Sequence, residues 1–213
     1  MRDLKISDIE RIFSKRTPGI MNSLADYSVL VPLVEINGEV SLLFEVRASG
    51  LERQPGEVCF PGGKMEKGET PQSCAVRETA EELGINCGDI KVIAQLDIMH
   101  THTNLTIYSF LGEIDYGRLA DMKINDGEVE SVFYVPLSRF IENEPYVYKM
   151  EVIPDVRDDF PYDMIDSTGG YNWKKGVSEV PIYKLSEKTI WGFTARICAN
   201  AAKILRENAV VSG

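Results

Sequence analysis

The sequence predicts a mixed α/β (α+β) fold, and three features carry that prediction. Two Val-, Leu- and Ile-rich runs, residues 27–36 and 39–46, flank Asn37-Gly38, the strongest short hairpin signal a sequence offers. Residues 71–83 carry helix punctuation at both ends: Thr70 as a cap, Pro71 at the first helical position and Gly84 just past the last. Further apolar runs over 91–99, 105–114, 129–135, 146–153 and 180–185 read as strands, and a helical pattern over 189–206 closes the chain.

The remaining elements follow from the same signals. Ile6, Ile9, Ile12 and Phe13 recur at helical spacing, so residues 6–15 form a short amphipathic helix that Thr17-Pro18-Gly19 ends. Residues 48–65 read as loop, broken by Pro55-Gly56 and Pro61-Gly62-Gly63. A helical turn is expected at 137–141 and irregular chain over 154–176. Ser186 is the expected cap of the last helix, whose Ile190, Ile197, Ala201, Ile204 and Leu205 read as core. The domain reading is an N-terminal helix and linker over 1–20 and one domain over 21–213.

Composition narrows the function. The 213 residues are 44% hydrophobic and 26% charged, as expected of a globular chain. Size scaling gives roughly 9,900 Å² of exposed surface after folding. The net charge of −10 argues against broad nucleic-acid binding, which needs a basic face. No apolar run reaches the length of a membrane span, and residues 1–16 lack the apolar core of a signal peptide, so a cytoplasmic address without membrane association is the default. The four cysteines, Cys59, Cys74, Cys87 and Cys198, have no paired metal spacing and read as reduced and mostly packed.

The chemistry concentrates on residues 77–84. At 100° per residue, Glu78, Glu81 and Glu82 share an arc of about 100°, with Val76, Ala80 and Leu83 on the opposite side. Like charges three and four apart weaken a helix, and a hard cation with oxygen ligands would compensate. A solvated acidic face is the alternative. Phe60-Pro61-Gly62-Gly63 forms a tight turn that lets backbone approach a ligand or metal, and Glu69 is spaced to pair with Arg77.

The stretch from Gly63 through Glu69, Arg77-Glu78 and Glu81-Glu82 to Gly84-Ile85 resembles the Nudix box: glycine, five residues, glutamate, seven residues, Arg-Glu, an aliphatic residue, any residue, Glu-Glu, any residue, glycine, an aliphatic residue. Its one departure is Thr79 in an aliphatic position, which predicts a packing adjustment. The resemblance implies a mixed β-sheet sandwiched between α-helices and hydrolysis of a nucleoside diphosphate linked to another group. Carried over by position, Glu78 and Glu82 are the main Mg²⁺ or Mn²⁺ ligands, Glu81 holds a further metal or a water, and the Gly63 carbonyl also reaches a metal. Arg77 and Glu69 brace the loop. The metals polarise the pyrophosphate and lower the pKa of the attacking water.

Upstream, Leu43 to Ala48 and Gln54 to Gly63 are similar to the coenzyme A pyrophosphatase subfamily, as is Ile190 to Ala195. Arg47, Ala48, Gly56 and Phe60 to Gly63 match in register. Glu52 occupies the place of a second arginine, Arg53 stands one place later, and Glu45 replaces a threonine. This implies hydrolysis of coenzyme A or a derivative, with Arg47, Arg53, Gly62 and Gly63 on the substrate. ADP-ribose, a dinucleoside polyphosphate or an oxidised nucleotide are alternative substrates, and a non-catalytic nucleotide-binding module is the rival class. Members of such a family can form homodimers, which no feature of this sequence indicates by itself. Glu130, and after it Glu128, is the candidate for a carboxylate that reaches the metals or acts as base. His100, His102, Cys74, Tyr171 and Trp173 are weaker candidates for substrate contact, with packing or turn structure as the alternative reading.

Overall fold

A computed structural model describes residues 4–167, 169–186 and 188–209, the side chain of residue 209 excepted. The outermost residues of both expected units, 1–3 and 210–213, lie outside the described residues. The hairpin forms as the sequence demands: β1 (Ala25–Ile36) and β2 (Glu39–Arg47) pair antiparallel, with Ile36 opposite Glu39. Asn37 and Gly38 both take positive φ, 53° and 83°, which gives the turn a twist matching its strands.

The main sheet continues with β3 (Val58–Cys59), β4 (Gly62–Lys64), β5 (Ile90–Gln95), β6 (Met99–His100), β7 (Leu105–Ile114) and β8 (Val129–Pro136). β1 runs parallel to β7 and antiparallel to β2 and β4, so the sheet is mixed. Alternation along the strands sends Val29, Val31, Leu33, Leu42 and Phe44 to one face and Leu30, Val34 and Leu43 to the other. Helix α2 (Pro71–Leu83) covers the second face through Ala75, Ala80 and Leu83. The first face is covered by α5 (Gly192–Ala209), reached through two short helices, α3 (Tyr116–Leu119) and α4 (Leu137–Glu142), of which α4 inserts Phe140 into the same core. The expected sheet between helices is therefore present. β9 (Tyr146–Val152), β10 (Gly176–Lys184) and β11 (Thr189–Trp191) form a separate antiparallel sheet.

Several expectations are corrected. Residues 58–59 and 62–64 are strands where loop was expected, because their pairing partners lie on β1 and β2, far off in sequence. The strand expected over 91–99 is interrupted between β5 and β6. The strand expected at 180–185 begins earlier, at Gly176, because β9 pairs with it along its length. The last helix starts at Gly192, φ 65°, and not at 189: β-branched and aromatic Thr189, Ile190 and Trp191 pair with β10 instead, so Ser186 does not cap it. Ile190, Ile197 and Ala201 are buried, whereas Leu205 is exposed.

The N-terminal helix α1 (Ile6–Phe13) forms but buries no residue. That helix, the exposed β9 and the largely exposed chain between β9 and β10 raise the accessible surface to 14528 Å², well above the size expectation. No described helix is long and apolar enough to cross a membrane. The four cysteines are unbridged; Cys74 and Cys198 are buried and Cys87 is exposed.

Candidate active site

The site begins with a glycine turn stitched to β1. Leu30 N–H donates to Pro61 O, Val29 and Ser28 lie opposite Gly62 and Gly63, and Met65 N–H donates to Asp26 O. Gly62 has φ 150°, and a Cβ there would strike the Ser28 carbonyl and lie 2.6 Å from Val29 Cα, so no other residue fits without displacing β1. Phe60 stacks on Phe44 and anchors the turn to the core. A short connection then delivers the chain to α2. Thr70 caps it, accepting from Ser73 N–H at 3.1 Å, and Ser28 Oγ donates to Pro71 O at 2.6 Å. Gly84 ends the helix in the left-handed region, φ 63°, against Lys123.

Arg77 organises the carboxylates. Its guanidinium grips Glu69 with two hydrogen bonds, at 3.0 and 3.1 Å, and reaches Glu81 at 3.1 Å and Glu78 at 2.9 Å. The pairing of Arg77 with Glu69 that the spacing predicts is thus present, and it holds the Glu69 carboxyl down to about 2. Glu78 lies under Gly63, where a Cβ would fall on its carboxylate. Cys74 Sγ points at the Gly63 carbonyl, 3.7 Å away, and burial pushes its thiol up to about 12. Thr79 is fully buried and spends its hydroxyl on the Ala75 carbonyl at 2.7 Å, the packing adjustment its place required.

Glu82 departs from the expected arc of outward carboxylates. It is buried and accepts from Gly62 N–H at 2.8 Å. Its ring position is unchanged, but the glycine turn and β2 close over it. Burial, with the charges of Glu78 and Glu128 adding to it, raises Glu82 to about 7. Burial raises Glu78 as well.

Beside Glu82 stands a residue that sequence reasoning passed over as a substrate-specificity departure: Glu45, on the β2 face it shares with Leu43 and Arg47, 1% exposed and close enough to Glu82 that each carboxyl acts on the other, with burial raising it first. Its Oε1 has no partner among the described residues. The alternating pattern of β2 gave the face; it is interior because α2 packs over it, with β3 and β8 flanking β2 in the sheet.

Arg47 and Arg53 are brought together at the mouth of the β2–β3 loop, where the Arg47 guanidinium donates to the Arg53 carbonyl from Nε and Nη2, both at 3.4 Å. The loop is closed at its base by Arg47 N–H to Glu57 O and Gly56 N–H to Arg47 O. Arg47 acts electrostatically on both Glu45 and Glu82, so it faces the carboxylates. Glu128 acts on Glu45, Glu78 and Glu82 from just before β8; it and Glu130, two residues further, are both exposed. His100 and His102 lie elsewhere, lining a cavity of about 670 Å³ with Arg196 and Glu179; His100 Nδ1 is 3.2 Å from Thr106 Oγ1. Tyr171 and Trp173 are exposed and pack on each other, with Trp173 also against Phe160.

Among the described residues, no three His, Cys, Asp or Glu side chains converge in ligating geometry. The reason is visible: Arg77 draws Glu78 and Glu81 toward itself. The donor set nevertheless fits a hard cation. Two carboxylates raised by burial, a glycine cradle that only a missing Cβ keeps open over Glu78, and an orphaned carboxylate oxygen are all relieved by positive charge.

The NUDIX domain family matches residues 25–154, the span that holds every one of these groups. The chain belongs to the Nudix family. Among relatives, it is 36% identical over 133 residues to the mouse peroxisomal coenzyme A diphosphatase NUDT7, covering 62% of this chain and 55% of that protein. It is 37% identical over 117 residues to Nudix hydrolase 3 of Caenorhabditis elegans, 54% of this chain and 49% of that one. The chain thus spans about half the length of these two relatives. It matches the mouse mitochondrial coenzyme A diphosphatase NUDT8 more fully, at 27% identity over 92% of this chain and 85% of the relative. A MutT/nudix family protein from Enterococcus faecalis has the same fold, with TM-score 0.50 and 13% identity over 96% of this chain and 71% of that one.

Proposed function

We propose that this Nudix protein hydrolyses the pyrophosphate bond of coenzyme A or a derivative, with Mg²⁺ or Mn²⁺, to adenosine 3′,5′-bisphosphate and 4′-phosphopantetheine or its acyl form. The observation that carries the proposal is Arg47, bonded to the Arg53 backbone carbonyl, beside buried carboxylates capped by a glycine turn. The names of the mouse relatives support the same substrate.

Glu78 and Glu82, with the Gly63 carbonyl, are the groups to hold the cations, and Glu81, the most exposed of the three glutamates at 57%, is free to swing to a further cation or a water once Arg77 releases it. When bound, the cations supply Lewis acidity toward the pyrophosphate and toward water. Gly62 N–H keeps the Glu82 carboxylate aimed out of the helix, and Arg77 with Glu69 fixes the connection between turn and helix. The Glu128 carboxylate is the better placed of the two β8-end acids to accept a proton from the attacking water, with Glu130 second. Arg47 and Arg53 bind the 3′-phosphate of the nucleotide by their planar forks.

A second reading keeps the hydrolysis and changes the substrate, to ADP-ribose, a dinucleoside polyphosphate or an oxidised nucleotide; the displacement of the second arginine from position 52 to 53 favours it. The test is incubation with coenzyme A, ADP-ribose, a diadenosine polyphosphate and a deoxynucleoside triphosphate, each with Mg²⁺ or Mn²⁺, and mass spectrometry of the products. Selective release of adenosine 3′,5′-bisphosphate is the expected result. Turnover of another substrate instead moves the assignment to the second reading, and binding without any product identifies a nucleotide-binding module.

A further inference from the structure

Glu45 is costly where it stands. Strand β2 needs only a side chain that fits between β3 and β8 at this position, opposite Cys59 and Val132. A carboxyl there is taken out of water, set against a second buried carboxyl and left with one oxygen unpaired. Proton sharing would serve the contact between Glu45 and Glu82, yet no hydrogen-bond donor of the described residues reaches Oε1. Arg47, whose charge acts on Glu45, donates to the Arg53 carbonyl from Nε and Nη2. A hard divalent cation answers every one of these costs at once: it separates the two like charges and takes the orphan oxygen as a ligand.

We propose that Glu45 is a further ligand of the divalent cation, contributed by strand β2 from the side opposite α2 and sharing with Glu82 the ion that Glu82 binds. This rests on the reading of Glu78 and Glu82 as cation ligands and extends the donor set beyond the helix. It also explains why an acid is tolerated in a strand position whose neighbours Leu42, Leu43, Phe44 and Val46 are all buried and apolar. The cation site is then built from both walls of the cleft, so its occupancy ties the helix to the sheet.

The experiment is a calorimetric titration of the full chain with Mn²⁺ alone, in the absence of nucleotide, for the wild type and for Glu45→Gln, Glu45→Thr, Glu78→Gln and Glu82→Gln. Glutamine keeps the shape of Glu45 and can donate a hydrogen bond to Glu82, but it is a poorer ligand. Glu45→Gln is expected to weaken Mn²⁺ binding at one site by about tenfold or more, at least what losing an outer partner of a ligand costs. Threonine, smaller and easily housed in a strand, is expected to do the same. Melting temperatures in chelator are expected to be equal to or above wild type for both, since an unpaired buried acid has been removed. Unchanged Mn²⁺ affinity and stoichiometry in both variants, with Glu78→Gln and Glu82→Gln impaired, overturns the role of Glu45 and leaves the helix ligands standing. Unchanged binding in Glu78→Gln and Glu82→Gln, or no Mn²⁺ binding by the wild type, overturns the reading beneath it as well.

Discussion

Glu78 and Glu82 are neighbours on one helix face, yet they sit in different surroundings: Glu78 bonds to Arg77 under the glycine turn, while Glu82 is buried against β2. Replacing either with glutamine removes charge and little volume, and Glu82→Gln retains an oxygen for Gly62 N–H. Each variant is expected to lose on the order of 100-fold or more in kcat with coenzyme A and Mg²⁺ while keeping the wild-type circular dichroism spectrum and melting temperature. Turnover near wild type in either variant removes that residue from the cation site. The bracing pair predicts a pH effect. Arg77, and then the Glu66 backbone N–H, lower the Glu69 pKa to about 2, below the roughly 4.3 of an unfolded glutamate. The stabilisation is therefore present above the unfolded value and is lost as pH falls through the folded one. In chelator, Glu69→Gln is expected to melt lower than wild type at pH 6, with the difference shrinking between pH 4 and pH 2; a difference that persists at pH 2 contradicts this. The spacing of Gly63, Glu69, Arg77 and the three glutamates was legible because turn and helix impose it locally. The burial of Glu82 and Glu45 was not, because it comes from strands far away in sequence.

At the level of elements, α2 is set by its own punctuation, and its boundaries match the sequence expectation at both ends. Thr70→Ala removes the side-chain oxygen that Ser73 N–H and Ser73 Oγ use. It is expected to destabilise the chain by about 1 kcal/mol in urea unfolding, with kcat little changed, because Pro71 and the Ser28 Oγ bond still hold the helix start. A change below about 0.3 kcal/mol would mean that Ser28 and Pro71 already fix the end alone. The hairpin was equally readable, since Asn37-Gly38 demands one turn geometry. β3, β4 and β11 were not: each has two or three residues, too few for a period, and exists only through partners on β1, β2 or β10. Likewise the amphipathic pattern of α1 correctly gave a helix but not its environment, for its apolar residues Ile6, Ile12 and Phe13 remain exposed.

For the molecule as a whole, the proposed catalytic and recognition groups come from different elements. Arg47 ends β2 and Arg53 lies in the loop that follows, while the carboxylates belong to α2 and the interior of β2. Arg53→Ala is expected to raise KM for coenzyme A several-fold more than KM for dephospho-coenzyme A, with kcat nearly unchanged, because only the former carries the 3′-phosphate. Arg47→Ala is expected to show the same discrimination together with a fall in kcat, since Arg47 also acts on Glu45 and Glu82. Equal losses on both substrates for Arg53→Ala would remove the 3′-phosphate from its role. The family and its sheet-between-helices plan could be foreseen from one motif, whereas β9, β10 and β11 lie mostly beyond the matched residues 25–154, and their apolar runs gave two strands but not their pairing into a separate sheet.

The loop between β2 and β3 is closed at its base by two backbone hydrogen bonds around Arg47, and neither depends on the side chains between them. That makes residues 48–55 a replaceable cassette. Substitutions there are expected to leave the strand register and the glutamates in place while changing what the rim contacts.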